Sequence, residues 1–445
     1  MEPTGPGRPR APVTYGGWQV QGRWDPKEIV RAEGSTFWDA DGRAYLDFAS
    51  QLVATNLGHG NVAVREAIAS QARALPYVAP SFTTPARIAL TRALDEVLPE
   101  GLRRYFFSTS GTEANEAALK IARLVTGRSR VAARERSYHG ATAGAISVTG
   151  DFRRAPVEGL DTVPGTVFVP DCYCYRCPLS LTYPSCGVAC AEEAGRRIDA
   201  AGDVGAMIVE PVVGTNGVIV PVPEYLPRIR EITRRRGILL LDDEVMTGWG
   251  RTGAWFAVDH YGVRPDILTT AKGITGGYAP LGLTATTSEI HDRFRDTYFP
   301  HGHTYEGHPL TLAPATAAIG EYRRLGLVAK SRADGEYLLQ RLRELEPRHP
   351  SVGEVRGLGL FAAVELVRDR GTREPFNTPE DKLAGRPTMA EAVAAAMWAE
   401  GVYVLPWVSH LVLAPPLVIR RDEIDRGVEA LDTALQVADA SVRRT

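Results

Sequence analysis

The stretch Ile238-Leu239-Leu240-Leu241-Asp242-Asp243-Glu244 joins an uninterrupted apolar run to three acidic residues. Apolar runs without polar alternation are typical of strands buried on both faces, as in a parallel sheet covered by helices. Met207-Ile208-Val209, which Glu210 follows, repeats the pattern. Ligands of open α/β sheets bind outside the carboxyl ends of the strands, so the sequence predicts a binding site beside these acids.

Strand-like and helix-like segments alternate on both sides of the two runs. Arg104 to Phe107 and Arg130 to Arg134 are strand candidates, and Glu113 to Val125 between them has helical spacing. Alternation of this kind predicts an α/β fold with a mostly parallel sheet between helices.

The chain, at 445 residues, exceeds what one hydrophobic core usually supports. A hairpin with its turn at Asp41-Gly42 is predicted over Phe37 to Phe48. Helices and short strands past Leu310 predict a smaller α+β domain, in which the polar stretch Asp369 to Pro387 is expected to be a surface loop. The predicted division is an N-terminal segment over 1–60, a large domain over 61–310 and a small C-terminal domain over 311–445.

The overall composition indicates a soluble protein that acts on small molecules. Apolar residues make up 44% and charged residues 23%, and no apolar stretch is long enough to cross a bilayer. A formal net charge of -2 without a basic run argues against nucleic acid and membrane partners. Met1 to Val13 lacks the apolar core of a secretory signal, and all five cysteines lie close together, so we expect a cytoplasmic location.

A lysine among small residues is the strongest local signal for chemistry. Thr270-Ala271-Lys272-Gly273 follows an apolar strand candidate and precedes a glycine-rich stretch over Gly276 to Gly282. Small neighbours let a planar cofactor approach Lys272, and desolvation would lower the pKa of its amine and favour imine formation. The alternative interpretation is a surface lysine beside a flexible loop.

Three further motifs lie at predicted strand ends. Asp243 has the position of a carboxylate that pairs with a pyridinium nitrogen, or else of a helix-capping or metal-binding acid. The turn Ser108 to Asn115 opens a helix, so its amides predict a phosphate site, although an ordinary helix cap explains the same residues. Tyr138, in Ser137-Tyr138-His139-Gly140, is predicted either to stack on a ring or to be core.

In this order, these motifs resemble the class III aminotransferases, which are pyridoxal-phosphate (PLP) enzymes of fold type I. The resemblance runs from Asp39 to Leu417, and its most specific part is Asp243 to Gly253 with Lys272 downstream. It implies a large domain with a mostly parallel sheet, a smaller C-terminal domain and an obligate homodimer with shared active sites.

The resemblance also implies a role for each matching residue. Lys272 is the lysine that holds PLP as a Schiff base and later carries a proton between the substrate and the cofactor. Asp243 pairs with the pyridine nitrogen, while Val245 and Tyr138 lie on opposite faces of the ring. The other implied cofactor contacts are Ser110, Gly111, Thr112, His139, Glu210 and Thr304, of which Thr304 reaches the phosphate of the neighbouring subunit.

Substrate recognition is predicted from arginines. Arg356 matches an arginine that receives a substrate carboxylate in several relatives, and we expect it to be unpaired because Thr215 replaces a glutamate that often neutralises it. Leu405 stands where many amine-pyruvate transaminases have a mobile arginine. The stretches Tyr138 to Pro156 and Tyr173 to Pro178 resemble the taurine and ω-amino-acid branch, in which Arg153 or the adjacent Arg154 would face a remote acid. Both arginines are equally consistent with solvated surface charges.

The cysteines form two closely spaced pairs, one with two intervening residues and one with three. Four thiolates at such spacing are consistent with a structural zinc site, and the alternative is that they are free, buried small side chains. The four candidate ligands are Cys174, Cys177, Cys186 and Cys190.

The sequence therefore predicts a homodimeric, PLP-dependent aminotransferase. It would pass an amino group from an ω-amino acid, a taurine-like compound or an amine to a 2-oxo acid such as pyruvate or 2-oxoglutarate. Lys272 and Asp243 would serve an amino-acid racemase or epimerase equally well, and a non-catalytic binding protein on the same fold is the third alternative.

Overall fold

A computed structural model describes residues 14–442. The expectation about Met1 to Val13 lies outside the described residues. Strands and helices are numbered along the chain, and short 3-10 helices are left without labels.

The described chain contains three sheets. The strands are β1 (Ile29–Glu33), β2 (Thr36–Asp39), β3 (Ala44–Asp47), β4 (Arg104–Ser108), β5 (Arg130–Arg134), β6 (Thr166–Val169), β7 (Val204–Val209), β8 (Leu239–Asp243), β9 (Ile267–Thr270), β10 (Gly282–Thr286), β11 (Val352–Gly357), β12 (Ala362–Asp369), β13 (Glu374–Pro375), β14 (Val402–Tyr403), β15 (Leu405–Pro406) and β16 (His410–Leu413).

Helices cover the sheets and connect most of the strands. They are α1 (Ser50–Val53), α2 (Val62–Ala74), α3 (Pro85–Asp95), α4 (Gly111–Thr126), α5 (Ala143–Ser147), α6 (Ala189–Ala201), α7 (Tyr225–Arg235), α8 (Ser288–Asp292), α9 (Pro309–Arg324), α10 (Leu327–Arg343), α11 (Pro379–Leu383), α12 (Met389–Ala399) and α13 (Arg421–Asp439).

The central sheet has seven strands in the order β4-β10-β9-β8-β7-β5-β6. Its strands are parallel except β10, which pairs antiparallel with β4 and β9. The predicted α/β class with a mostly parallel sheet is therefore confirmed. Because all the other strands share one direction, the carboxyl ends of β7, β8 and β9 meet at one edge.

Burial on both faces explains the apolar runs that suggested this sheet. Every residue of β7 is buried. Ala206 and Ile208 pack with α4, whereas Met207 and Val209 belong to the cluster that includes α6 and α7. Successive side chains of a strand point to opposite faces, so a strand between two helical layers needs apolar residues at consecutive positions.

The N-terminal hairpin lies where it was predicted, with β2 and β3 antiparallel around the turn at Asp41-Gly42. β3 also pairs in parallel with β14, so the segment before residue 61 shares a sheet with the C-terminal region. The second C-terminal sheet has the order β11-β12-β16-β15. The division of the chain into 1–60, 61–310 and 311–445 stays a prediction.

The prediction of a plain surface loop over Asp369 to Pro387 is wrong. The segment contains β13, which pairs with β12, and α11. Pro379 stands in the first turn of α11, and Asp381 accepts a hydrogen bond from the backbone N–H of Thr378. Proline in the first turn and a capping acid three residues after the cap favour a helix even in a polar stretch.

One buried arginine ties the N-terminal segment to the C-terminal region. Arg251 donates to the carbonyl oxygens of Leu360 at 2.8 Å and Pro415 at 2.6 Å. It also donates to Ser50 Oγ at 2.9 Å and Asn56 Oδ1 at 2.8 Å. A planar guanidinium can satisfy these four acceptors at once, which the single ammonium of a lysine cannot do.

We expect Arg251→Lys to lower the free energy of unfolding by about 3 kcal/mol, because buried acceptors would lose their donors. The measurement is the urea unfolding midpoint, with Arg264→Lys as the control, since the Arg264 side chain is 70% exposed. Equal midpoints for the two variants would contradict the bridging role of Arg251.

Candidate active site

A cavity of about 330 Å³ opens at the carboxyl edge of the central sheet. Its volume lies within the range of small-molecule sites. β15 and the residues that follow it form the opposite wall. Nine of the predicted site residues line this cavity, namely Gly111, Thr112, Tyr138, His139, Arg153, Glu210, Asp243, Val245 and Lys272.

Lys272 lies just past the end of β9, at the start of a short 3-10 helix. Burial lowers the pKa of its amine to about 8, although the carboxylates of Asp243 and Glu210 act in the opposite direction. A large share of the amine is therefore neutral near pH 8 and able to act as a nucleophile or base. The alternative of an ordinary surface lysine does not fit this position.

The carboxylate of Asp243, at the end of β8, is held from three directions. One oxygen accepts from Asn115 Nδ2 at 2.8 Å and lies 2.7 Å from His139 Nδ1. The other accepts from the backbone N–H of Val245 at 3.0 Å. These contacts orient the carboxylate toward the cavity that Lys272 also lines.

The Asp243 contact also orients His139. An imidazole nitrogen beside a carboxylate carries the proton, so His139 Nδ1 donates to Asp243. The other ring nitrogen, Nε2, is buried and finds no hydrogen-bond partner within residues 14–442. Buried polar atoms are usually partnered, so this nitrogen is available to a ligand in the cavity.

The amino end of α4 forms the phosphate-site candidate. The Ser110 side chain caps the helix by accepting from the Glu113 N–H, so Ser110 acts as the ordinary cap and does not line the cavity. Gly111 and Thr112 in the first turn do line it. A β-carbon on Gly111 would lie 2.8 Å from the Val245 side chain, so glycine is needed for this close approach.

Tyr138 is positioned through its backbone. Its N–H donates to Glu210 Oε1 at 3.0 Å, and the other carboxylate oxygen of Glu210 accepts from the Gly214 N–H at 2.8 Å. Burial raises the pKa of Glu210. Glu210 therefore fixes the segment that carries Tyr138.

Arg153 is the arginine that reaches the cavity. Its guanidinium lies 3.5 Å from the centroid of the Tyr138 ring and 4.6 Å from that of Trp407. Arg153 Nε donates to Asp151 at 2.8 Å, and Nη2 donates to Thr215 Oγ1 at 2.8 Å. The neighbouring Arg154 instead pairs with Glu158 at the surface.

The expectation that Arg356 is unpaired is wrong. Arg356 Nη1 lies 2.7 Å from Glu354 and 2.6 Å from Glu365, and Nε donates to the Gly217 carbonyl. The antiparallel pairing of β11 with β12 brings these acids together. Although burial acts to raise it, the cations Arg356 and Arg176 hold the pKa of Glu365 at about 2. Arg356 does not line the Lys272 cavity.

Thr304 and the cysteines, which were also predicted as site residues, do not line this cavity. Thr304 is exposed, and its carbonyl accepts from the Tyr77 hydroxyl at 3.0 Å. All five cysteines are free and line one narrow recess. Within the part of the chain that the structure describes, no three His, Cys, Asp or Glu side chains are arranged to hold a metal ion, so the zinc hypothesis has no geometric support.

Sequence reasoning missed several residues of the cavity. Trp18, Leu52 and Trp407 line it, although all three lie far along the chain from the recognised motifs. Trp18 meets the Tyr138 ring edge-on, with 5.8 Å between ring centroids. Asn115 stood within a recognised motif, but the sequence offered no sign of its contact with Asp243.

This arrangement can be compared with known proteins. The family model described as aminotransferase class-III matches residues 21–435. The chain belongs to the class III aminotransferases. The chain is 38% identical to the taurine--pyruvate aminotransferase of Rhodobacter capsulatus, over 93% of this chain and 92% of that protein. It is 34% identical to the leucine/methionine racemase of Thermococcus litoralis, over 92% and 90%.

Solved structures agree with this family. The taurine:2-oxoglutarate aminotransferase of Bifidobacterium kashiwanohense, in complex with PLP and glutamate, superposes with a TM-score of 0.90 at 33% identity, covering 97% of both chains. An (S)-enantioselective ω-transaminase from Thermomicrobium roseum gives 0.87 at 38% identity, over 96% and 95%. The predicted fold type I architecture and the enzyme class are therefore confirmed.

One finding concerns membranes. Between residues 14 and 442, none of the helices combines the length and the apolar character that crossing a bilayer requires.

We expect reductive methylation of Lys272 by formaldehyde with cyanoborohydride as the reductant, in cofactor-free protein, to reach half its maximal rate near pH 8, because the neutral amine is the reacting form and burial lowers its pKa. Peptide mass spectrometry at a series of pH values measures this rate. Lys27, which is exposed, is the internal control. If Lys272 and Lys27 showed the same pH profile, the lowered pKa would be wrong.

Proposed function

We propose that this class III aminotransferase uses PLP to pass an amino group from an ω-amino acid, a taurine-like compound or an amine to a 2-oxo acid such as pyruvate or 2-oxoglutarate. The observation that carries the proposal is the convergence of Lys272, Asp243 and the amino end of α4 on one cavity. The names of two relatives, a taurine--pyruvate aminotransferase at 38% identity and a putrescine--pyruvate aminotransferase at 35%, support the donor class.

The residues of the cavity fit PLP. The amides of Gly111 and Thr112 suit the phosphate, because a helix amino end attracts anions. Asp243 would pair with the pyridine nitrogen, and Lys272 would hold the aldehyde carbon. The close packing of Gly111 against Val245 leaves room for a flat ring but not for a further side chain.

The other residues proposed to act on the cofactor can each be given a specific contact. Tyr138 and Val245 would lie on opposite faces of the ring, and the free Nε2 of His139 would be an acceptor close to it. Glu210 would act indirectly, through the Tyr138 backbone. Thr304 is exposed, as a residue that serves a neighbouring subunit must be, and we propose a homodimer on that basis.

Bound PLP supplies an electron-withdrawing ring that stabilises negative charge at the substrate carbon that bears the amino group. Lys272 Nζ would carry a proton between that carbon and C4′ of the cofactor. In the cofactor-free chain burial lowers the pKa of this amine, and a group that titrates near neutral pH can both accept and release a proton. The carboxylate of Asp243 would hold a proton on the ring nitrogen, and its contacts to Asn115 and His139 keep it in place.

The far end of the substrate would meet Arg153. The cavity is mainly apolar there, with Leu405, Met246 and Val412 in its wall. Asp151 neutralises part of the Arg153 charge, and the Tyr138 ring covers one face of the guanidinium. A carboxylate or sulfonate approaching in the guanidinium plane would still find a charge-assisted donor. We therefore propose that acidic donors are preferred over plain amines.

A racemase is the second candidate, because one relative at 34% identity carries that name. Lys272 and Asp243 would serve either reaction. Transfer of the amino group to a 2-oxo acid distinguishes the two, since racemisation leaves the nitrogen on the substrate.

We further propose a cytoplasmic location, in keeping with the sequence composition.

The spectrum of the PLP-loaded enzyme is the first test. Taurine, β-alanine, 4-aminobutyrate or simple amines are expected to replace the band of bound PLP with that of the pyridoxamine form, and pyruvate or 2-oxoglutarate should restore it. Lys272→Ala should lose the exchange by several orders of magnitude, because no other amine in the cavity can move the proton. Exchange by Lys272→Ala at the wild-type rate would overturn the assignment.

Arg153→Gln tests the donor preference. We expect the KM for taurine and β-alanine to rise at least tenfold, because a charge-assisted hydrogen bond contributes about 1.5 to 3 kcal/mol. The KM for propylamine, which has no acidic group, should change less than threefold. Arg154→Gln is the matched control, since Arg154 pairs with Glu158 away from the cavity. An equal rise for taurine and propylamine would show that Arg153 only shapes the cavity.

A further inference from the structure

A second cavity of about 410 Å³ lies beside the Lys272 cavity, and we refer to it as the outer cavity. It separates the segments after β5 and β6 from the C-terminal region around β12 and β16. Its lining residues include Arg136, Tyr173, Arg176, Glu365, Trp407 and His410.

Each acidic side chain that lines the outer cavity forms an ion pair with an arginine. Glu135 lies 2.7 Å from Arg197. Asp151 pairs with Arg153, and Glu365 lies 2.6 Å from Arg356 while it also contacts Arg176. None of these carboxylates is left to repel an incoming anion.

Not all of the basic side chains of the outer cavity form ion pairs. Arg136 is exposed, and within residues 14–442 no carboxylate lies within ion-pair distance of its guanidinium, although its charge acts at longer range on the buried carboxyl of Asp171. The guanidinium rests 5.3 Å from the centroid of the Tyr173 ring. Arg176 Nη2 is buried and lacks a hydrogen-bond partner in the described chain. Burial lowers the pKa of His410 to about 4, so this ring is neutral at pH 7. The free positive charge of the cavity therefore comes from Arg136.

The rest of the wall is mixed, with polar side chains such as Asn377 and Ser409 beside five apolar ones. Phe152, Trp407 and Val408 line one side, and Pro375 and Pro379 line another. A site with one guanidinium outside any ion pair and a group of apolar side chains suits an anion with an apolar body, since the cation fixes orientation and the apolar side chains remove surface from water.

A hydrogen-bonded wall separates the two cavities. Trp407 lines both of them, and its Nε1 donates to Asn216 Oδ1 at 3.1 Å. Asn216 Nδ2 in turn donates to Asp151 at 3.0 Å, and Asp151 holds Arg153. A ligand in the outer cavity would thus lie against Trp407, Asn216 and Asp151, the residues whose hydrogen bonds position Arg153.

We propose that the outer cavity is a second binding site, distinct from the Lys272 cavity, for an organic carboxylate with an apolar body whose carboxylate pairs with Arg136.

The test is calorimetric titration of the PLP-loaded enzyme with phenylacetate. We expect one saturable site per chain. Phenylacetamide, which has the same shape without the charge, should bind at least tenfold more weakly. Binding should persist after the Lys272 cavity has been filled by reaction of its PLP with phenylhydrazine, a neutral compound. The readout is heat of binding, so it does not depend on turnover or on the proposed donor class.

Two variants locate the site. Arg136→Gln should weaken phenylacetate binding at least tenfold, and because Arg136 is exposed we expect its melting temperature to match that of the wild type. Arg154→Gln, a neighbouring arginine that does not line the outer cavity, should bind as the wild type does. Any of three results would overturn the proposal: no saturable binding, binding lost after phenylhydrazine treatment, or a loss in Arg136→Gln no larger than in Arg154→Gln.

Discussion

The carboxylate of Asp243 is the contact on which the arrangement of the site depends. It stands buried at the end of a strand, and its hydrogen-bond partners are Asn115, His139 and the Val245 amide. These partners come from α4, the β5 connection and the turn after β8. Three separate segments are therefore held in register by a single buried anion, and Lys272 lies beside it in the cavity they enclose. Removing a partner from a buried charge is costly, which makes such a contact an effective determinant of geometry.

Arg356 and Arg153, the two arginines predicted to bind substrate, differ in how many carboxylates they contact. Arg356 lies between two strands that bring Glu354 and Glu365 to it, so its charge is used within the fold. Arg153 has one carboxylate, Asp151, and otherwise contacts aromatic faces and a hydroxyl. The two arginines differ because the fold brings two carboxylates to Arg356 and only one to Arg153. This difference explains why Arg153 lines the cavity with donor capacity left while Arg356 does not.

Most of the residues predicted to share one site do line one cavity, because they belong to short contiguous motifs. Lys272 follows a strand, Asp243 ends one, and Gly111 begins a helix, so local pattern alone indicated that they would meet at one sheet edge. Ser110 shows the limit of this reasoning, because a cap and a ligand-binding residue have the same local sequence. The polar stretch after Asp369 shows another limit, since capping residues formed a helix where composition favoured a loop.

The sequence by itself determined the sheet, its direction and the family, since buried strands and tight turns require particular residues at consecutive positions. It also determined which lysine and which aspartate lie at the sheet edge. Only the tertiary structure decided which charges are paired and which face the cavity, because several acids near each arginine in sequence could pair with it and packing selects among them. Trp18 and Trp407 meet Arg153 in this way, and Glu365 meets Arg356 across two strands. Contacts of this kind depend on how separate elements pack, and no local pattern encodes them.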